Sequence, residues 1–296
     1  MNPRHPLDPN TTVTIMGLGL MGGSLALALR RHAARPRLIG VVRTHRDVEE
    51  AQHMRVVDHV TTNWKAAVRE ADIVILATPV RTLLRHISMI GPYLKEHTLV
   101  LDVGSTKTQI CAAMAALPPH VQPIGGHPMC GKEVSGLAHA EAELYEGATF
   151  ILCPLERTAP WALDLALNLV HQIGAQPLIL SPEHHDRLVA TVSHLPYLLA
   201  AALVGTAHRV AQDDPRVWKI AAGGFRDTSR VASSNLDMML DILMTNRDAV
   251  LDMVDHYLAE FTELRTLLEQ EDEGALRLYL ANIKNLRDAH FGKGRT

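Results

Sequence analysis

Between residues 12 and 180 the chain alternates short runs of β-branched and aliphatic residues with longer stretches whose apolar positions recur every three or four residues. That rhythm predicts parallel βαβ units. The strand candidates are 13–16, 37–42, 72–77, 98–103, 121–126, 149–153 and 176–180, and their continuous apolarity suits strands covered on both faces. Helices are predicted over 21–32, 80–90, 106–117 and 159–172. Beyond Ser181 the strand pattern stops, and 183–212, 236–244, 247–270 and 272–290 read as helices. In the third of these, Val250, Val254, Tyr257, Phe261, Leu264 and Leu268 make one apolar stripe that must be buried somewhere. The expectation is an α/β doubly wound sheet over 1–181 followed by an all-α domain over 182–296. A helical half of that size buries its stripe most economically against a second copy, which predicts a homodimer. The tail 292–296 is too polar and glycine-rich to pack.

Composition narrows the function more than the fold. A length of 296 residues exceeds the usual single domain, and 47% hydrophobic with 21% charged residues is ordinary globular usage. A net charge of −3 offers no basic stripe for phosphates in series, so nucleic acid is not an expected partner. The first twelve residues are polar and contain proline, unlike a secretory signal, and no stretch of eighteen uninterrupted apolar residues follows; a cytoplasmic protein without a membrane anchor is expected. Cys111, Cys130 and Cys153 have no CxxC spacing, which fits a reducing compartment and predicts neither disulfides nor a metal site.

Directly after the first strand comes Gly17-Leu18-Gly19-Leu20-Met21-Gly22, a GxGxxG at a strand-to-helix turn. The first glycine allows the turn, the second lets backbone approach a pyrophosphate, and the third lets helix and strand pack closely. The first domain is therefore expected to be Rossmann-type. Thr78 and Pro79, after the third predicted strand, are further cofactor candidates. An acidic residue ending the second strand would favour NAD, but here the chain reads Arg43, Thr44, His45, Arg46. Two arginines and a threonine suit a 2′-phosphate, which predicts NADP in preference to NAD. The alternative has Arg43 stacking on adenine and Arg46 solvated.

Three polar clusters interrupt the apolar pattern. Ser105 and Lys107, in 102–107, stand where they can approach a nicotinamide or substrate, unless the segment is only a turn and helix cap. His127, between Gly126 and Pro128 just after a strand, is a general-base candidate because imidazole titrates near neutral pH. Cys130 has no activating partner and reads as structural. His184-His185-Asp186 looks like a metal site only superficially, and capping or a surface place is expected of it. His194 lies on the same helix, with a kink expected at Pro196. Arg226 and Arg230, in 223–230, are suited to holding carboxylates.

Taken in order, GLGLMGGS (17–24), DVGSTK (102–107), GGHPMCGKEVSG (125–136), HHDRLVATVSHLP (184–196) and GGFRDTSRVASSN (223–235) resemble the prephenate and arogenate dehydrogenase family of tyrosine biosynthesis, over about residues 12–270. The resemblance implies that His127 accepts the ring hydroxyl's proton as hydride leaves the same carbon. It implies that Ser105 hydrogen-bonds near His127 and the nicotinamide, that His194 lines the substrate pocket, and that Arg230 holds the ring carboxylate. Glu133 and Arg226 match a charged gate. Gly131 and Lys132 fall beside the substrate's side chain; relatives carry a small hydroxyl residue at the lysine's place, and a pocket-facing charge there favours prephenate over arogenate. Without length for a regulatory domain, tyrosine is expected to act as an inhibitor at the active site itself. A beta-hydroxyacid dehydrogenase shares the opening motif but needs a KxxxN helix, which the Lys284-Asn285 neighbourhood does not supply. A nucleotide-sensing protein without catalysis would leave His127, His194 and Arg230 unexplained.

Overall fold

The computed structural model describes Leu7, residues 9–32 and residues 35–292; the polar tail expected to stay unpacked lies, from 293 onward, outside the described residues. The first part runs β1 (Thr12–Met16), α1 (Leu20–Arg30), β2 (Arg37–Val41), α2 (His45–Met54), β3 (His59–Thr61), α3 (Trp64–Glu70), β4 (Ile73–Leu76), α4 (Val80–Ile90), β5 (Leu99–Asp102), α5 (Thr108–Ala115), β6 (Gln122–Pro128), β7 (Thr149–Pro154), α6 (Pro160–Gln172) and β8 (Gln176–Ile179). The strands form one sheet in the order β3-β2-β1-β4-β5-β6-β7-β8. The order reverses between β1 and β4, which opens a crevice at their carboxyl ends where doubly wound folds bind ligands.

Successive side chains point to opposite faces and both faces are covered, so the central strands are mostly apolar on both. Val13, Ile15, Ile73, Ile75, Leu99 and Leu101 pack on one face with α1 and α6. Met16, Val74, Leu76 and Val100 pack on the other with α4 and α5. The strand β3 and the helices α2 and α3 were not predicted: three residues are too few to show a pattern, and the helices bury only Ala51 in α2 and Ala67 and Val68 in α3. The sheet is also not wholly parallel: β6 and β7 pair antiparallel, His127 opposite Ile151. The connection between them forms only the 3-10 turns Leu137–His139 and Ala142–Tyr145, without a crossover helix to carry the chain back to the other edge. These turns pack on α1, where a Cβ on Gly23 would meet Leu137 at 2.5 Å and Ala140 at 2.9 Å.

The second part runs α7 (Pro182–Val189), a π-helical segment (Ala190–His194), α8 (Leu195–Asp213), α9 (Val217–Ile220), α10 (Gly223–Ser229), the 3-10 turn Arg230–Ser233, α11 (Leu236–Thr245), α12 (Arg247–Glu269) and α13 (Glu273–Phe291). The kink expected at Pro196 takes the form of the π segment immediately before it. Proline lacks an N–H and crowds the carbonyl four residues earlier, and the wider turn relieves both. The run Pro182–Asp213 is long and apolar enough to cross a membrane by length and composition alone.

By contacts the chain divides into two compact units, residues 1–247 and 248–296, so α7 to α11 belong with the sheet. Salt bridges and hydrogen bonds fasten them there: Arg81 at the start of α4 bonds Asp241 of α11 through its amide at 3.1 Å and its Nε at 3.2 Å. The second unit is a helical pair in which Tyr279 donates to Glu260 at 2.7 Å. Large apolar side chains stay exposed on both units, among them Ile220 and Leu236 on the first and Phe261, Leu268 and Leu278 on the second.

Candidate active site

At the sheet's carboxyl edge Gly17 turns the chain with φ +104°, a left-handed conformation only glycine holds without strain. A Cβ on Gly22 would meet the Gly17 carbonyl at 2.0 Å, so this glycine serves packing. Gly19 differs: nothing lies within 4 Å of its would-be Cβ. It caps α1 without a side-chain hydrogen bond and the first turn holds no acidic residue, which leaves the amides of Leu20 and Met21 to an anion. The side chains of Leu18 and Leu20 are buried. Across the crevice Ala77, half-buried Thr78 and Pro79 follow β4, with Thr78 Oγ1 3.4 Å from His86 Nδ1. At the end of β2, Arg43 and Arg46 are exposed. The Thr44 hydroxyl accepts from Asp47 N at 3.2 Å while Asp47 accepts from Thr44 N at 3.0 Å, a capping box on α2 that leaves the hydroxyl its own proton to donate.

The ends of β5 and β6 are bolted together by a buried ion pair. Lys107 and Asp102, both fully buried, are hydrogen-bonded directly. Lys107 Nζ also donates to the Gly126 carbonyl at 2.6 Å, and Asp102 accepts from Gly126 N at 2.9 Å and Gly104 N at 2.7 Å. Lys107 is thus a structural tether and does not reach toward a nicotinamide or substrate. The paired glycines serve the same tether: a Cβ on Gly126 would meet the Asp102 carbonyl at 2.3 Å, and one on Gly125 would meet Cys111 Sγ at 2.6 Å. Burial pushes the Cys130 thiol up to about 11 and the Cys153 thiol to about 12, as inert cysteines require.

His127 projects from this clamped strand, half-buried. Its Nδ1 lies 2.8 Å from His185 Nε2, and His185 Nδ1 lies 2.8 Å from Asp186 Oδ1. Asp186 in turn accepts from the amides of Lys107 at 2.7 Å and Thr108 at 2.8 Å, capping α5. Burial opposes the Asp186 charge, but hydrogen bonds from His185, Thr108 and Lys107 outweigh it and hold its pKa below the usual carboxylate value. Burial drives His127 well below the ordinary 6.5, and the neighbouring His185, Lys107 and His194 push the same way. The imidazole is therefore neutral at physiological pH and able to take a proton. His194, buried in the π segment, accepts at Nδ1 from Asn246 Nδ2 at 3.1 Å, and burial lowers it to about 4. Asn246 also donates to the Asp186 carbonyl at 2.8 Å, and Thr106 meets Thr245 at 2.9 Å, so the end of α11 is stitched to the same cluster.

A nucleotide-binding domain described for prephenate dehydrogenases matches residues 25–179, and the dimerization domain described for the same enzymes matches residues 181–282. The chain belongs to the prephenate dehydrogenase family. It is accordingly a nicotinamide-dependent dehydrogenase, and the match to a dimerization domain supports a homodimer. The chain is similar to the prephenate dehydrogenase of Bacillus subtilis (strain 168), 39% identical over 94% of this chain and 75% of that one. It is similar in structure to Aquifex aeolicus prephenate dehydrogenase in complex with hydroxyphenyl propionate and NAD+, with a TM-score of 0.87 and 33% identity over 94% of this chain and 97% of that one. Synechocystis arogenate dehydrogenase also matches, with a TM-score of 0.83 and 31% identity over 95% and 100% of the two chains.

Several expectations drawn from the sequence meet a different geometry. Ser105 is half-buried, and the hydrogen bond at His127 Nδ1 is made with His185 and not with this serine. His185, expected to cap a helix or lie on the surface, is fully buried; only its neighbours fit that expectation, Asp186 as a cap and His184 as an exposed residue. Glu133 pairs with Arg230, not with the expected Arg226, which is exposed on α10. Arg230 thus already grips a carboxylate, although a protein one. Lys132 pairs with Glu141 at 2.6 Å, so its charge is matched within the protein, and Gly131 beside it is exposed. Asn246 escaped the sequence reading because it belongs to none of the recognisable motifs.

Proposed function

We propose that the protein catalyses the oxidative decarboxylation of prephenate to 4-hydroxyphenylpyruvate in tyrosine biosynthesis. The observation that carries this is a neutral, hydrogen-bonded His127 on a rigid strand end, on the same sheet edge as an open dinucleotide turn. His127 takes the proton of the ring hydroxyl, and the electrons of the adjacent C–H leave as hydride. A bound nicotinamide supplies the hydride acceptor. The developing carbonyl is conjugated through the ring to the carbon bearing the carboxylate, so that C–C bond breaks, carbon dioxide leaves and the ring becomes aromatic. Arg230 anchors the ring carboxylate in place of Glu133, and Ser105 and His194 border the reacting carbon, with Gly131, Lys132, Glu133 and Arg226 around the substrate's side chain. The Aquifex relative's hydroxyphenyl propionate, a phenol bearing a carboxylate chain, has the shape this product requires.

For the cofactor the proposal is NADP ahead of NAD, supported by exposed Arg43 and Arg46 and by the lack of an acidic residue at the end of β2. The dinucleotide contacts proposed are the backbone of Gly17 to Gly22 together with Thr78 and Pro79. Residues 1–181 then bind cofactor and 182–296 complete the substrate site and the dimer. Tyrosine, a phenol of matching shape, is proposed to compete at the same site. Free Cys111, Cys130 and Cys153 support a cytoplasmic place, and the homodimer gives the apolar helices a protein partner without a membrane.

The test is kinetic: purified protein is given prephenate or arogenate with either dinucleotide, and reduced cofactor is followed by absorbance. Prephenate with NADP should give the highest kcat/KM. Higher values with arogenate or with NAD would reverse the corresponding assignment, and no turnover of either ring substrate would sink the reading.

A further inference from the structure

Nothing in the motif pattern separates His185 from His184, yet only His185 is buried and only it touches His127, with ring centroids 5.0 Å apart. Three groups stand in line, His127 Nδ1, the two nitrogens of His185, and Asp186 Oδ1, with 2.8 Å at each contact. An ionised carboxylate can only accept hydrogen bonds, and both Asp186 oxygens are fixed by the α5 amides of Lys107 and Thr108. His185 must then donate from Nδ1. A neutral His185 keeps a lone pair on Nε2, and His127 can meet that lone pair only by donating from its own Nδ1. Two amide donors at the start of a helix already satisfy Asp186, so nothing beyond a neutral N–H is needed from fully buried His185.

We propose that His185 and Asp186 are positioning residues that fix His127 in the tautomer protonated on Nδ1, leaving Nε2 as the acceptor for the substrate's hydroxyl proton. This deepens the functional reading and rests on it for the base role of His127, but the tautomer stands on geometry alone. In the transfer itself the substrate O–H bond breaks and a bond from Nε2 to the proton forms. The resulting imidazolium still donates from Nδ1 to His185, whose own donor faces the carboxylate, so the charge forms beside a prepared acceptor chain. The other charged or titratable groups facing His127 are Lys107, at the start of α5, and His194, in the π segment. Neither supplies an acceptor for Nδ1: the Lys107 ammonium is bound to Asp102 and Gly126, and His194 Nδ1 is taken by Asn246. His185 is therefore the group that sets the tautomer, and Asp186 sets His185.

The experiment has two arms. In 15N-histidine-labelled wild type near neutral pH, nitrogen shifts read which ring nitrogen carries the proton, with signals identified by their loss in His127→Asn and His185→Leu. Both rings should be neutral with the proton on Nδ1; a His127 protonated on Nε2, or a doubly protonated His185, overturns the proposal. This arm needs no turnover, so it survives a failure of the prephenate reading. In the second arm, once wild type is seen to turn over prephenate, His185→Leu should lower kcat about 100-fold with KM changed little, the scale of a lost general base contribution. His185→Gln keeps an acceptor for Nδ1 and should stay within about tenfold of wild type in kcat, since only the hydrogen bond's geometry changes. Equal losses in the two variants, or no loss in His185→Leu, overturn it.

Discussion

His127→Asn lowers kcat on prephenate about 1000-fold, while substrate affinity measured by equilibrium binding stays within a few-fold of wild type. Asparagine can still meet the ring hydroxyl with its amide, and it can still face His185, so ground-state contacts survive. It cannot accept a full proton. The loss therefore falls on the step in which the O–H and C–H bonds break. The size follows from what a well-placed general base contributes, roughly two to four orders of magnitude, and His127 is fixed on two sides, by its strand and by His185. A variant that keeps wild-type kcat would remove the base assignment, and one that loses binding in proportion would make the residue a ligand for the substrate and no more.

Lys107→Met destabilises the fold by about 3–5 kcal/mol, read from the shift of the urea denaturation curve. The side chains are close in volume, so little packing is lost. What changes is charge: Asp102 stays fully buried with its two amide donors but without the ammonium, and the Gly126 carbonyl loses a donor. Adding Asp102→Asn to this variant recovers part of the loss, because the uncompensated charge goes while a carbonyl remains for one of the amides. A cost below about 1 kcal/mol for Lys107→Met would mean that the pair does not hold β5 to β6. The consequence reaches the chemistry, since Gly126 is the residue before His127.

The dinucleotide turn was legible because glycine spacing encodes backbone geometry directly: Gly17 needs its positive φ, Gly22 its close packing, and Gly19 its open space. The sheet was legible for a similar reason, since strands buried on both faces cannot hide their apolarity. The paired glycines 125 and 126 show the limit. Paired glycines show that something packs close to the backbone but not what fills the space, which is the Asp102 carbonyl at Gly126 and Cys111 Sγ at Gly125. His185 was missed for another reason. Adjacent histidines on a helix point about 100° apart, and only the phase set by buried Asp186 and Val189 tells which one faces inward. The partner of Glu133 was misassigned between Arg226 and Arg230, four residues and about one turn apart, where side-chain reach decides and the pattern does not.

The central claim is that a neutral imidazole at position 127 removes the hydroxyl proton, and the acid limb of the kcat/KM profile on prephenate reads that group in the free enzyme. Since protonation disables the base, activity must fall as pH drops through the pKa of His127, which burial and its neighbours hold well below 6.5. The limb should therefore have its midpoint clearly under 6.5 and should disappear from the residual activity of His127→Asn. A midpoint at or above 6.5, or a limb that persists unchanged in the variant, would show that some other group takes the proton.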